Sequence, residues 1–117
     1  MRDPVDREFR TAFWKLHVLH HAAERPIYGL WMLEELEEHG HRLSPGTLYP
    51  LLARMERNGW LSSEQASSAK GRKNYRITAA GRRLLARLRL EVEELYREVV
   101  LGHQQGEPAR RRVGGKN

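Results

Sequence analysis

Four apolar residues, Leu48, Leu51, Leu52 and Met55, fall at i, i+3, i+4 and i+7 and draw a single stripe down one side of a helix. The other side of that helix constrains the chain most, because it carries Thr47, Tyr49, Pro50, Ala53, Arg54 and Arg57. A solvated helix face ordinarily holds Glu, Lys or Gln, so a tyrosine and a proline beside arginines call for a second surface to lie against. Asn58 and Gly59 end the helix, Gly being the residue that enters the left-handed conformation most cheaply. Its start has two readings: Ser44 as N-cap with Pro45 at N1, or Thr47 as N-cap with Pro50 inside the first turn. In both, backbone N–H groups at this end suit an anionic oxygen.

Beyond Gly59 the period changes to two. Leu61, Tyr75 and Ile77 supply the alternating inner face of two short strands, joined by a polar loop from Gln65 to Lys73 that contains Lys70, Gly71, Arg72 and Lys73. A helix with this outer face followed by a cationic hairpin fits double-stranded DNA. The major groove accepts an α-helix and offers thymine methyls and base edges to its side chains, and loop cations clamp phosphates. Tyr49 folding back over the helix end is the alternative that the helix alone leaves open. The basic loop is a weak signal by itself.

The formal net charge of +6 is unevenly placed. Residues 1–59 hold 8 basic and 9 acidic groups and residues 77–101 hold 5 and 4, so these segments balance. Residues 60–76, with 4 and 1, and 102–117, also with 4 and 1, carry the whole excess. Charge confined to the hairpin and the C-terminal arm is the footprint of a polyanion met on one side. The preceding helix, about Tyr28 to His39, is acidic through Glu34, Glu35, Glu37 and Glu38, so it does not enter a groove. Leu30, Leu33 and Leu36 are expected to bury its other side, and Gly40 to end it. Of the two helices flanking the turn Gly40 to Leu43, the second is the reader, which is the helix-turn-helix division of labour.

At 117 residues the chain suits one small globular body. No window approaches the ~18 apolar residues that cross a bilayer and the N-terminus lacks a signal-peptide layout, so the expectation is a cytoplasmic protein with no membrane partner. Cysteine is absent, which removes disulfides and thiolate metal sites. No phosphate loop, HExxH or serine elbow is present, and no enzyme or cofactor is expected. His17 and His21 are spaced i, i+4 with His20 beside them, but no carboxylate nearby has an obvious ligand role; packed or solvated imidazoles, and no metal, are the reading. His39 and His41 flank a turn and call for nothing special.

The first helix is expected to start after Asp3 as cap with Pro4 at N1 and to run to about Ala23. Phe9, Phe13, Leu16 and His20 occupy one side, Trp14 and Val18 another. A helix apolar on two sides touches two neighbours, which implies a second subunit, unless Trp14 merely caps a local groove. The last helix should start at Thr78 as N-cap and run to about Leu101, roughly 35 Å at 1.5 Å per residue. Leu84, Leu88, Val92, Leu95 and Val99 form a near-heptad seam, widened by Leu85, Tyr96 and Val100. A two-fold-related copy covers such a seam, and packing back onto the first helix is the rival. From Gly102 the chain is a basic tail with Arg110, Arg111 and Arg112 and no periodicity, expected to be disordered.

At these residues the chain resembles the PadR family of bacterial transcriptional regulators. The resemblance is carried by Pro26, Ile27, Tyr28 and Gly29, by the run Leu43, Ser44, Pro45, Gly46, Thr47, Leu48, Tyr49, Pro50, Leu51, Leu52, then by Arg54, Met55, Glu56, Asn58, Gly59, Trp60 and Leu61, and finally by Tyr75, Arg76, Ile77, Thr78 and Gly81. It covers about residues 12 to 101. Leu30 and Trp31 after Gly29 depart from it, a tyrosine and a glutamate being more typical there. The resemblance implies a mainly α fold with a small β-hairpin: a winged helix-turn-helix domain over 1–78 that includes the N-terminal helix, a dimerisation helix over 79–101, and the tail 102–117. It also implies a homodimer that binds a pseudo-palindromic operator, usually to repress. The DNA-binding residues would be Ser44, Pro45, Gly46, Thr47, Tyr49, Pro50, Arg54, Lys70, Arg72 and Lys73; the dimer interface would be Phe13, Trp14, Leu84, Leu88, Val92, Leu95, Tyr96 and Val99. Trp14 and Tyr96 would line the site of a small aromatic effector. The competing expectation is a winged-helix module that docks proteins or senses ligands or metals without reading DNA sequence.

Overall fold

The computed structural model describes residues 3–65 and 73–102. Its elements run α1 (Arg7–Glu24), α2 (Gly29–Glu38), α3 (Pro45–Arg57), β1 (Leu61–Gln65), β2 (Lys73–Ile77) and α4 (Ala79–Leu95), which continues into a π-helical segment, Tyr96–Leu101. The chain divides into two compact units, one ending at Leu85 and the other starting at Ala86.

In the first unit α1 starts later than expected. Asp6, not Asp3, is the N-cap, its carboxylate accepting the Glu8 N–H at 2.6 Å. Asp3 is engaged elsewhere: Arg10 donates to it at 2.9 and 3.0 Å, and Val5 N–H at 3.1 Å. The Arg10 hydrogen bonds, aided by the Val5 N–H, hold the Asp3 carboxyl below its usual range. Pro4 therefore lies outside the helix rather than at N1. Trp14, Val18, Leu19, His21 and Ala22 form the buried face of α1, whereas Phe9 and Phe13 stay exposed.

α2 is rotated from the expected face. Gly29, Met32 and Leu36 are buried, Leu33 is half-buried, and Leu30 is 56% exposed. The buried residues fall at i, i+3 and i+7, so the stripe runs through Met32 rather than Leu30. His39 is the C-cap, and Gly40 takes φ +87° immediately after it.

α3 buries all four stripe residues, each contributing roughly 1.5–3 kcal/mol of apolar burial. Ser44 is the N-cap with Pro45 at N1, and Gly59 takes φ +84° after the C-cap Asn58. β1 and β2 pair antiparallel from Leu61↔Ile77 to Gln65↔Lys73, with Leu61 and Tyr75 buried and Ile77 half-buried. Ile27, in the α1–α2 connection, bridges Tyr75 as a third antiparallel partner, exchanging N–H···O bonds of 2.9 and 2.8 Å. Ser63 Oγ donates to Glu56 Oε2 at 2.7 Å and so fastens the hairpin to α3.

Thr78 organises the start of α4, accepting the Gly81 N–H at 2.9 Å and donating to the Gly59 carbonyl at 2.6 Å. Gly81 is buried against the Trp60 backbone, with no room for a Cβ. Leu85, expected to widen the α4 seam, is instead 3% exposed. The first unit thus continues past residue 78.

In the second unit every residue from 89 to 100 is exposed, including Leu90, Val92, Leu95, Tyr96, Val99 and Val100. Arg87–Glu91 and Arg97–Glu93 pair at i, i+4, each at 3.0 Å. Among the described residues no helix is long and apolar enough to cross a membrane.

Candidate nucleic-acid interface

Burial of Leu48, Leu51, Leu52 and Met55 leaves α3 one orientation, and Ser44, Pro45, Gly46, Tyr49, Pro50 and Arg54 are then exposed with Thr47 half-buried. Every one of the ten expected DNA-contacting residues that is described, Lys73 included, has solvent access; Lys70 and Arg72 lie outside the described residues, as does the tail from 103. Ser44 gives no side-chain bond to the helix end. Its hydroxyl makes a long 3.4 Å hydrogen bond to Thr47 Oγ1 instead, which leaves the first N–H groups of α3 without a side-chain cap and fit for an anion. Gly46 would meet only Ser44 Oγ, at 3.6 Å, if it gained a Cβ, so the fold does not require glycine there. What the missing side chain provides is access for an outside group to the helix backbone.

Tyr49 is both exposed and positioned. It is 44% exposed, and its phenol lies over Gly29 so closely that a Cβ on Gly29 would stand 2.7 Å from Cζ and 2.8 Å from the hydroxyl oxygen, and closer still to Cε1. Gly29 has no left-handed φ to explain its presence. The ring lies against Gly29 of α2 rather than over the end of its own helix, and almost half of it still faces out. Gly29 therefore acts as a seat that fixes the direction of the tyrosine.

Arg7 is the residue that the sequence did not single out. From the first turn of α1 its guanidinium donates to Thr47 Oγ1 at 3.3 Å and stands 5.8 Å from the Trp14 ring. A cation joins the N-terminal end of α3 from forty residues away. No periodicity could announce it, because the contact is purely tertiary. Arg54 and Arg57 occupy the last turn of α3, where they also suit the helix dipole. On α2, Glu34, Glu37 and Glu38 are exposed, which gives that helix an acidic outer surface.

The residues expected at a dimer interface fall in both units. Phe13 is exposed; Trp14 is only 6% exposed and is a core residue of the first unit, with its Nε1–H buried and unpaired. Leu84 and Leu88 are half-buried, and Val92, Leu95, Tyr96 and Val99 are exposed. Five histidines, packed or solvated, gather beside Glu35 and Glu24.

Three helices whose third is exposed over its N-terminal half, closed by a two-stranded wing that borrows one residue from the α1–α2 connection, define a winged helix-turn-helix protein. Comparison with known proteins narrows the class. Residues 18–87 match the Transcriptional regulator PadR-like family. Transcriptional regulator Rv3488 of Mycobacterium tuberculosis is 50% identical over 97 residues, spanning 82% of this chain and 91% of that protein. A PadR-like transcription factor from Bacteroides fragilis superposes with TM-score 0.72 at 29% identity, covering 87% of this chain and 99% of the other. A PadR family regulator from Eggerthella lenta gives TM-score 0.68 at 33% identity, covering 87% and 88%. The chain belongs to the PadR-like family of transcriptional regulators, which is not a class of enzymes.

Proposed function

We propose that this regulator is a homodimeric repressor that sets α3 of each subunit into consecutive major grooves of a pseudo-palindromic operator, with half-sites about 34 Å apart. The observation that carries the reading is the outer face of α3, where a half-exposed tyrosine, a proline and an arginine stand on a helix whose opposite face is wholly buried. Tyr49, Thr47 and Arg54 read base edges; Ser44, Gly46, Lys73 and the loop residues Lys70 and Arg72 hold phosphates. Arg7 joins the phosphate contacts beside Thr47. The exposed Val92, Leu95, Tyr96 and Val99 support a self-complementary seam covered by a second copy. The protein would act in the bacterial cytoplasm. A small aromatic effector beside Trp14 would meet an indole N–H that no protein acceptor satisfies, and its uptake would show as fluorescence quenching abolished by Trp14→Phe.

The experiment is to recover an operator from random duplex DNA and then compare two variants on it. Tyr49→Ala should weaken operator binding and leave non-specific binding intact, whereas Lys73→Ala should weaken both and lower the salt slope by about 0.9 in log K per log salt. Equal losses on both DNAs for the two variants would overturn the division of roles. An affinity for random duplex that ignores salt would overturn the DNA reading itself and favour a protein-docking module.

A further inference from the structure

Two segments far apart in sequence bring five imidazoles together. His17, His20 and His21 lie on the second half of α1, His39 caps α2, and His41 follows in the connection to α3. The His17 ring is 5.0 Å from that of His41, 5.1 Å from His39 and 6.1 Å from His21, between ring centroids. At the centre stands one half-buried carboxylate. Glu35 Oε2 is 3.2 Å from His39 Nε2 and 3.5 Å from His21 Nε2, and one donor atom from each of these three residues lies within 4.8 Å of the others.

Burial, ahead of the neighbouring imidazoles, pushes His17 down to about 4, and burial, ahead of His20, pushes His21 down despite Glu35 and Glu24. His21 is also almost completely buried, with Nδ1 hydrogen-bonded to nothing and Glu24 Oε1 3.7 Å away. Two imidazoles and one carboxylate, drawn from α1 and the end of α2, form a donor set suited to a cation.

The spacing fits one. In a tetrahedral site with bonds of about 2.0–2.1 Å, donor atoms stand roughly 3.3–3.4 Å apart, and the two edges through Glu35 Oε2 measure 3.2 and 3.5 Å. Glu35 and His39 are separated by one helical turn of α2, and His21 faces them from α1. The edge between the two histidines lies within 4.8 Å, and a rotation of the half-exposed His39 ring can adjust it. We propose that His21, Glu35 and His39 form a binding site for a divalent transition-metal ion. Imidazole and carboxylate without thiolate select Zn²⁺, Co²⁺, Ni²⁺ or Cu²⁺ over Ca²⁺ and Mg²⁺, which require a shell of oxygens. A bound ion would fasten α1 to the C-terminal end of α2, next to the turn that leads into α3. His20, His21 and Glu24 form a second candidate group. It shares His21 and draws on a single, more exposed helix, so the two groups compete for one ion.

The test uses the full-length, untagged chain, stripped with EDTA and titrated with Co²⁺ and then Zn²⁺. The expected result is one Co²⁺ per chain with visible tetrahedral absorption, displaced by Zn²⁺, while Ca²⁺ and Mg²⁺ do not bind. Zn²⁺ at a hundredfold excess over its Kd should raise Tm by roughly 10 °C. Glu35→Gln and His39→Gln should each weaken binding by more than the roughly 10–100-fold that loss of an outer-sphere partner costs, and His20→Gln should change it less than threefold, about the noise of such contributions. The His39 ring is half exposed, so His39→Gln keeps the fold; its metal-free Tm checks this. Absence of saturable uptake overturns the site, as does binding that survives Glu35→Gln and His39→Gln or disappears in His20→Gln.

Discussion

Gly29→Ala is the substitution most informative about how the reading helix is aimed. Gly29 is the first residue of α2 and has no left-handed φ, so alanine suits its backbone and, from the unfolded state alone, should stabilise by about 0.4–1 kcal/mol. Against this, the new methyl carbon would stand 2.7 and 2.8 Å from the Tyr49 Cζ and hydroxyl oxygen, well inside van der Waals contact. Tyr49 is half exposed and free to swing outward, so the clash is relieved by moving the ring rather than by breaking the core. Overpacking of this kind costs about 1–3 kcal/mol, so the net loss of stability is between none and about 2.6 kcal/mol. With Tyr49 reading a base as proposed, operator affinity should fall further, since a displaced base contact is worth about 1–3 kcal/mol, or roughly 5–150-fold. Chemical denaturation and fluorescence anisotropy on operator and random duplexes read the two effects, and a cycle with Tyr49→Ala isolates the cause. With the ring gone, Gly29→Ala should turn stabilising, giving a coupling of about 1 kcal/mol or more. Additive stabilities in the cycle, or full operator affinity in the single variant, would refute the claim that Gly29 seats the tyrosine.

Further outcomes rest on other parts of the molecule. Gly81→Ala should destabilise the first unit by about 2–4 kcal/mol, seen as a lowered denaturation midpoint, because its Cβ would run into the Trp60 carbonyl, which is backbone and has nowhere to go. Leu95→Arg should shift the protein from dimer to monomer in sedimentation at micromolar concentration while leaving its helical content unchanged. In EDTA, stability should be constant above pH 6.5 and fall between 6.5 and about 4: His17, faced by His41, His39, His21 and His20, takes up its proton only near 4 when folded but near 6.5 when unfolded, so acid favours the unfolded chain. His17→Gln should flatten that fall.

The parts of the fold legible in sequence are those set by local periodicity and capping. The α3 stripe, the glycines at 40 and 59, and the Thr78 cap each depend on residues within one or two turns, and each sits where the pattern placed it. Where two local signals competed, the contest was decided at longer range: Asp3 and Asp6 can both cap α1, and Arg10 at position 10 draws Asp3 away. The buried face of α2 runs through Met32 rather than Leu30, and on it Gly29 is covered by Tyr49, a residue of the next helix. Arg7 beside Thr47, the bridge from Ile27 to Tyr75, and the meeting of His21 with Glu35 and His39 are invisible to any period, since each joins segments through packing alone.

The bridge at Ile27 bears on how such proteins diverge. Two main-chain bonds tie the wing to the segment ahead of α2, and main-chain bonds are indifferent to the side chains above them. Mutational drift can rewrite that segment and the wing without untying them, and only proline, which has no N–H to give, cuts the knot. The side chains displayed there can thus change while the main-chain scaffold beneath them is inherited unchanged.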